Sequence, residues 1–127
     1  MPASPDLDFQ AVAFAAITAV VSGVPVLAHP APGQVTPYIQ IGHTESEGGP
    51  AGNTYDVSIH TWSGAEGPHE IKDLQYKIQV ALELASYASA DWSFVINVMQ
   101  YQTCFVDVDG ENWHGVQRFK VLASLIS

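Results

Sequence analysis

The chain has 127 residues and is acidic, with thirteen Asp and Glu residues against four Lys and Arg and a formal net charge of −9. This balance argues against binding nucleic acid through phosphate contacts, because that mode needs clustered cations. Apolar residues make up 47% of the chain, which argues against global disorder, and the length predicts one domain spanning residues 1–127.

The first predicted element is a helix from about Pro5 to Val21. Ser4 suits the capping position, and Asp6 and Asp8 complement the positive end of the helix. The apolar residues of this segment do not keep to one stripe, so the helix must be covered nearly all round. Two alternatives stay open for the surface that covers this helix: a second subunit, or the sheet and loops of the same chain. If a second subunit covers it, we expect subunit contacts at Phe14, Ile17 and Val21.

The apolar run Ala11–Ala28 resembles a signal peptide or a membrane span. Asp6 and Asp8 precede it where a signal peptide carries cations, and Gly23 and Pro25 interrupt it. We therefore predict a buried helix of a protein with no membrane partner.

The next segments alternate between extended and irregular chain. Residues 24–36 contain three prolines and predict a linker, and Pro37–Gly42 predicts a short strand. His43–Thr54 is acidic and glycine-rich, which predicts a mobile loop that forms a long hairpin arm and becomes ordered against a partner. Interface positions are expected in this arm at His43, Glu45 and Glu47.

The segment Tyr55–Leu84 predicts a strand followed by a helix, around which the other elements are arranged. Tyr55, Val57, Ile59 and Thr61 alternate with polar residues and Trp62, as in a half-buried strand. A Gly/Pro loop follows, and the period then changes to that of a helix beginning at Pro68. The residues of its apolar stripe are Ile71, Leu74, Ile78, Leu82 and Ala85.

The remaining chain predicts two more strands. Phe94–Val108 reads as one long strand, residues 107–112 supply turn chemistry, and Trp113–Leu125 is the last strand. The predicted fold is α+β in the order α-β-β-α-β-β, with a four-stranded, mostly antiparallel sheet packed by two helices.

The sequence contains little that indicates catalysis. The five histidines show no metal-ligand spacing, and Cys104 is alone in a strand pattern, so we expect no metal, no cofactor and no catalytic residues. Asp56 and His60 share a strand face but lie too far apart to touch directly. A small ligand-binding or acid-base domain built around Asp56, His60 and Trp62 stays open as an alternative.

Three segments, taken together, resemble one family. Pro37–Gly42 is similar to its "PYVxIG" strand, Val57–Ser63 to its "LxIHVWS" strand, and Asp107–Gly110 with His114–Phe119 to its closing "DxDG…HGVLRF" hairpin. The family comprises the small tail terminator or tail-completion proteins of long-tailed bacteriophages and gene transfer agents. The two predicted helices also stand where the family has them.

The resemblance implies a non-enzymatic virion protein, located at the top of the tail and assembled in the host cytoplasm. It implies a ring of identical subunits, typically a hexamer, that caps the head-proximal end of the tail tube, ends tube polymerisation and joins the neck proteins of the head. DNA would pass through its lumen without specific binding. We expect Trp62, Arg118 and Phe119 to support the sheet and its edge, and we count Trp62 and Arg118 among the interface positions. A head-tail connector adaptor is the structural alternative.

The chain departs from the family in two loops. The linker at residues 24–36 lacks the basic, tyrosine-containing segment of many members, and His43–Thr54 is unusually glycine-rich and acidic. These departures bear on which ring or tube surface the loops contact.

Overall fold

The computed structural model describes residues 4–49, 52–64 and 66–126, with side chains throughout except at positions 43–49 and 52–53. The elements in chain order are α1 (Pro5–Val20), β1 (Val26–Leu27), β2 (Tyr38–Gly49), β3 (Gly52–Ser63), α2 (His69–Leu82), β4 (Ser86–Ala88), β5 (Trp92–Ile96), β6 (Tyr101–Val106) and β7 (Trp113–Leu125). Both predicted helices and all four predicted strand regions are present.

The strands form one seven-stranded sheet in the order β1-β2-β3-β7-β5-β4, with β6 also paired to β7. β1 runs parallel to β2, and the other pairs are antiparallel. The prediction of a four-stranded, mostly antiparallel sheet was therefore wrong: the sheet is mixed and has seven strands. The α+β class with two helices agrees with the structure.

Two of the additional strands are short pieces that carry no strand pattern of their own. Within the predicted linker, Val26 and Leu27 pair with β2, supported by a hydrogen bond from the Ile39 N–H to the Pro25 carbonyl (2.9 Å). After α2, Ser86–Ala88 pairs with β5. Segments of two and three residues are too short for a period-2 pattern to be recognised in sequence.

The predicted strand Phe94–Val108 is divided into β5 and β6. Ile96 pairs with Val121 and Tyr101 with Arg118, so the segment between them contains two more residues than the facing part of β7. The extra residues bulge around Val98, which is exposed. The Met99 N–H donates to the Glu83 carboxylate (2.9 Å), which holds the bulge against the end of α2.

The predicted loop His43–Thr54 is also different in the structure. Residues 43–49 belong to β2 and residues 52–54 to β3, which pair as far as Gly49 with Gly52. A register shift between Ile41 and Thr44 marks a bulge at the base of this extension. The hairpin arm is thus a regular extension of the sheet, because β7 pairs with β3 as far as Asn53.

Both helices pack on the same face of the sheet. α1 contacts β1, β2 and β5, α2 contacts β3 and β7, and the helices touch each other. Phe9 on α1 meets Phe94 edge-on with ring centroids 5.3 Å apart. Ser4 caps α1 by accepting from the Leu7 N–H (3.5 Å), as predicted. No helix in the described part of the chain has the length and apolar character needed to cross a bilayer.

The core lies between this face and the helices. It contains the predicted inward residues of β3 and the stripe of α2 from Ile71 to Leu82. It also contains Ile17 and Val21, which are 0% and 2% exposed, so α1 buries a single face against its own chain. The sheet and the second helix of the same chain cover this one face, whereas Leu7 and Phe14 on the other side of α1 are 67% and 48% exposed.

A buried polar contact joins α2 to the far end of the sheet. The Gln75 amide donates to the Thr103 carbonyl (2.9 Å), and the Gln117 amide donates to the Gln75 carbonyl (2.9 Å). Gln75 fits because Gly115 lies beneath it: a Cβ at position 115 would collide with the Gln75 amide nitrogen and lie 3.1 Å from Ile71 Cδ1.

Replacing Gly115 by alanine is therefore expected to lower the free energy of unfolding by about 1 to 3 kcal/mol, because the methyl group overpacks this contact. Urea denaturation measures the effect. In a Gln75→Ala background the same substitution should cost much less, since the colliding amide is gone. Equal costs in both backgrounds would contradict this explanation.

Candidate functional site: the helix-free face of the sheet

The second face of the sheet carries no helix. We call it the open face. Alternation along the strands assigns to it the outward residues of β2, β3, β6 and β7. In the described chain these include Tyr38, Gln40, Asp56, Ser58, His60, Trp62, Tyr101, Thr103, Phe105, His114, Val116, Arg118 and Lys120.

A continuous row of rings crosses four strands of the open face. Tyr38 stacks on Trp62 with centroids 4.8 Å apart, Trp62 stacks on His114 at 4.4 Å, and His114 meets Phe105 at 5.1 Å. We call these four residues the aromatic row. They are adjacent because each is directly opposite the next in the strand register. Phe105 is 43% exposed, so an apolar strip lies open to solvent.

The imidazoles of His60 and His114 form a hydrogen bond beside this row, with 2.9 Å between Nδ1 of His60 and Nε2 of His114. This hydrogen bond holds one proton between the two nitrogens. If both rings were protonated, neither nitrogen could accept, and the two positive charges would repel each other. Burial lowers the pKa of His60, and the His114 and Arg118 charges lower it further. Burial also lowers the pKa of His114, although Asp107 opposes that shift.

Charged groups follow the histidine pair along β3 and β7. The Arg118 guanidinium lies over the Tyr101 ring, 5.5 Å from its centroid, which is within the range of a cation–π contact. Further along the same strands, Lys120 forms an ion pair with Asp56 (3.8 Å). The open face therefore combines apolar rings with one exposed cation at the β6 end of the sheet.

The predicted interface residues fall into three groups. Trp62 and Arg118 lie together on the open face. Phe14 is half-exposed on α1, on the opposite side of the molecule. Ile17 and Val21 are core residues, which corrects the expectation that they contact another subunit, because a buried side chain has no surface to offer a partner. The side chains of His43, Glu45 and Glu47 lie outside the described residues, although their backbone is part of β2.

The open face contains functional candidates that sequence reasoning missed. Strand pairing alone brings Tyr38, Tyr101, Phe105 and His114 to the face that carries Trp62. Residues that meet on this face are far apart in the sequence: His60 and His114, for example, are separated by 54 positions. The only sequence signal was that each occupies an outward position in a strand. Cross-strand neighbours cannot be identified until the register is known.

The proposed acid-base pair is not assembled on this face. Asp56 pairs with Lys120, whereas His60 pairs with His114. Within residues 4–49, 52–64 and 66–126, no group of three or more His, Cys, Asp or Glu residues is placed to hold a metal ion.

We expect the stability of the fold to decrease as the pH falls below about 6.5, the ordinary pKa of histidine in an unfolded chain. Both folded-state pKa values are lowered, so the folded form favours neutral rings. Their contribution is fully present above about 6.5 and is lost as the pH falls through the folded-state pKa values. Urea denaturation at pH 7.5 and 5.5 measures the loss.

The double variant His60→Gln/His114→Gln is the control for this pH dependence. It lacks both titrating rings and should show a smaller loss of stability between the two pH values. An equal loss in the variant would assign the pH dependence to other groups.

Comparison with known proteins agrees with this architecture. A chain from the structure described as "Virion of native gene transfer agent (GTA) particle" has the same fold, with a TM-score of 0.78 at 15% sequence identity, over 96% of this chain and 98% of that chain. No curated protein matches the sequence. The family model described as "Tail completion protein gp17" matches residues 10–124, nearly the whole chain. The chain therefore belongs to the tail completion protein gp17 family, whose members are structural proteins of the phage tail.

Proposed function

We propose that this tail protein forms a ring of identical subunits on the head-proximal end of the tail tube, where it ends tube polymerisation and joins the tail to the neck of the head. The observation that carries the proposal is the open face, with its half-buried aromatic row ending at the exposed Phe105, in a chain of the tail completion family. A hexamer is the expected ring.

The chemistry of the open face fits contact between proteins. Aromatic residues and arginine are enriched at the centres of protein interfaces, because they bury a large area with little loss of conformational freedom. Trp62 and Arg118 supply both residue types, and Tyr38 and Phe105 extend the apolar strip. Its contacts are expected with the tube and neck proteins.

The net charge fits a channel through which DNA passes. With a formal charge of −9 for each subunit, a ring would repel the phosphate backbone more than it attracts it. DNA would then cross the lumen without specific binding. A measured increase in DNA affinity on ring formation would contradict this part of the proposal.

The test is polymerisation of the cognate tube protein in the presence of the purified chain. If the chain caps growing tubes, the mean tube length measured by electron microscopy should fall as its concentration rises, with a ring visible at one end. Tubes of unchanged length at every concentration would contradict the capping role.

A further inference from the structure

The sheet has two long free edges in the described part of the chain. β6 pairs with β7 on one side, and no described strand pairs with its other side. β1 covers β2 only at Ile39 and Gln40, which leaves the outer side of residues 43–49 unpaired. The other two edge strands, β1 and β4, have only two and three residues.

The β6 edge lacks the features that normally protect an exposed edge. Its sequence, YQTCFV, contains no charge and no proline, and its side chains at Tyr101, Phe105 and Val106 are about half exposed. Edge strands of this kind pair readily with another chain unless they are covered. The assembled protein therefore needs a strand that covers β6.

We propose that β6 of each subunit pairs antiparallel with residues 43–49 of β2 in the next subunit, so that the sheet continues around the ring. This inference rests on the proposed ring and specifies how its subunits join. The two edges have similar lengths, with six residues in β6 and seven in the free part of β2. The contact joins two different surfaces, as a ring with rotational symmetry requires.

The offset between the edges suits a closed arrangement of tilted strands. On β7, the centre of β6 lies level with Val116, the partner of Thr103, and the centre of the free β2 edge lies level with Val121 through Tyr55. Because side chains alternate between faces, registers that keep the open faces of both subunits on one side have an offset of four or six residues, about 13 or 20 Å along the strands. The repeat of four strands is about 19 Å wide, so the ratio gives a tilt of about 35° to 46°, close to the range of closed barrels.

The charges beside the two edges are complementary. Next to β6, Arg118 lies over Tyr101 and has no described carboxylate within ion-pair distance. The free part of β2 carries Glu45 and Glu47 and no Lys or Arg. Glu45 is paired in register with Asp56, so these positions belong to the open face that also carries Arg118. Pairing of the edges brings opposite charges together on one face.

The single cysteine of the chain provides a direct test, because Cys104 lies on β6. In the full-length chain, the variants Thr44→Cys, Ser46→Cys and Gly48→Cys each add one thiol on β2 at positions that share the helix-side face with Cys104. Within one chain these sites are separated by β3 and β7, about 14 Å, which no disulfide spans.

On oxidation, at least one of these variants should give a ladder of disulfide-linked multimers beyond the dimer on non-reducing gels. Ser86→Cys, an exposed site on β4, is the matched control and should give no ladder. Native mass spectrometry of the same samples reports the ring independently.

Three results would overturn the strand pairing. A ring without cross-links in all three β2 variants would place the subunit contact elsewhere while leaving the proposed function intact. A Cys104–Cys104 dimer in the unaltered chain would show β6 paired with itself. Absence of any ring would remove the strand pairing and the ring together.

Discussion

Replacing Ile17 by aspartate is expected to unfold the chain and not merely to separate its subunits. Ile17 is 0% exposed and lies in the core between α1 and the sheet. The substitution removes a buried apolar side chain, at about 2 to 5 kcal/mol, and adds the cost of a buried carboxylate. Because small domains have about 5 to 15 kcal/mol of stability, we expect loss of most of the folded population.

Phe14→Asp is the matched control on the same helix. Phe14 is 48% exposed, so this change should leave circular dichroism and the urea midpoint nearly unaltered. Circular dichroism and urea denaturation of both variants provide the measurement. A folded Ile17→Asp protein that has lost only its self-association would contradict the burial of Ile17 and restore the interface first expected at this position.

Replacing Trp62 by alanine is expected to weaken binding of the chain to the tube protein by at least about 30-fold in dissociation constant, which corresponds to the 2 kcal/mol or more typical of an interface hot spot. Trp62 is the centre of the aromatic row, stacked between Tyr38 and His114. Its loss would remove contact area on the open face and the support for its two neighbours. Analytical ultracentrifugation of the chain mixed with the cognate tube protein, over a concentration series, measures the change.

The control for this prediction is Tyr76→Ala. Tyr76 is an exposed aromatic residue on α2, on the helix side of the molecule, so its truncation leaves the open face intact. We expect the affinity for the tube protein to stay within about twofold of that of the unaltered chain, as for near-neutral surface positions. Equal weakening by both variants, or no weakening by Trp62→Ala, would contradict binding of the tube protein through the open face.

The sequence predicted those parts of the fold whose signal is local. Ser4 marked the start of α1, alternation from Tyr55 to Thr61 marked the buried face of β3, and the stripe from Ile71 to Leu82 marked the buried face of α2. In each case the period of the side chains is set by the geometry of one element, and the burial confirms it.

The remaining features depend on contacts between distant segments. α1 is apolar nearly all round, so no pattern could say that Ile17 and Val21 face the sheet. Strand pairing extends β2 through the glycine-rich residues 43–49, although their composition predicts a loop. For the same reason, Trp62 and Arg118 were identified without their neighbours on the open face.

The most direct test of the account is the tail-length distribution of particles after deletion of this gene from the strain that produces them, measured by negative-stain electron microscopy. The account predicts overlong tubes, or heads and tails that fail to join, with normal lengths restored by the unaltered gene and not by the Trp62→Ala variant. Particles with tails of normal length, joined to their heads, would contradict a role in ending the tail tube.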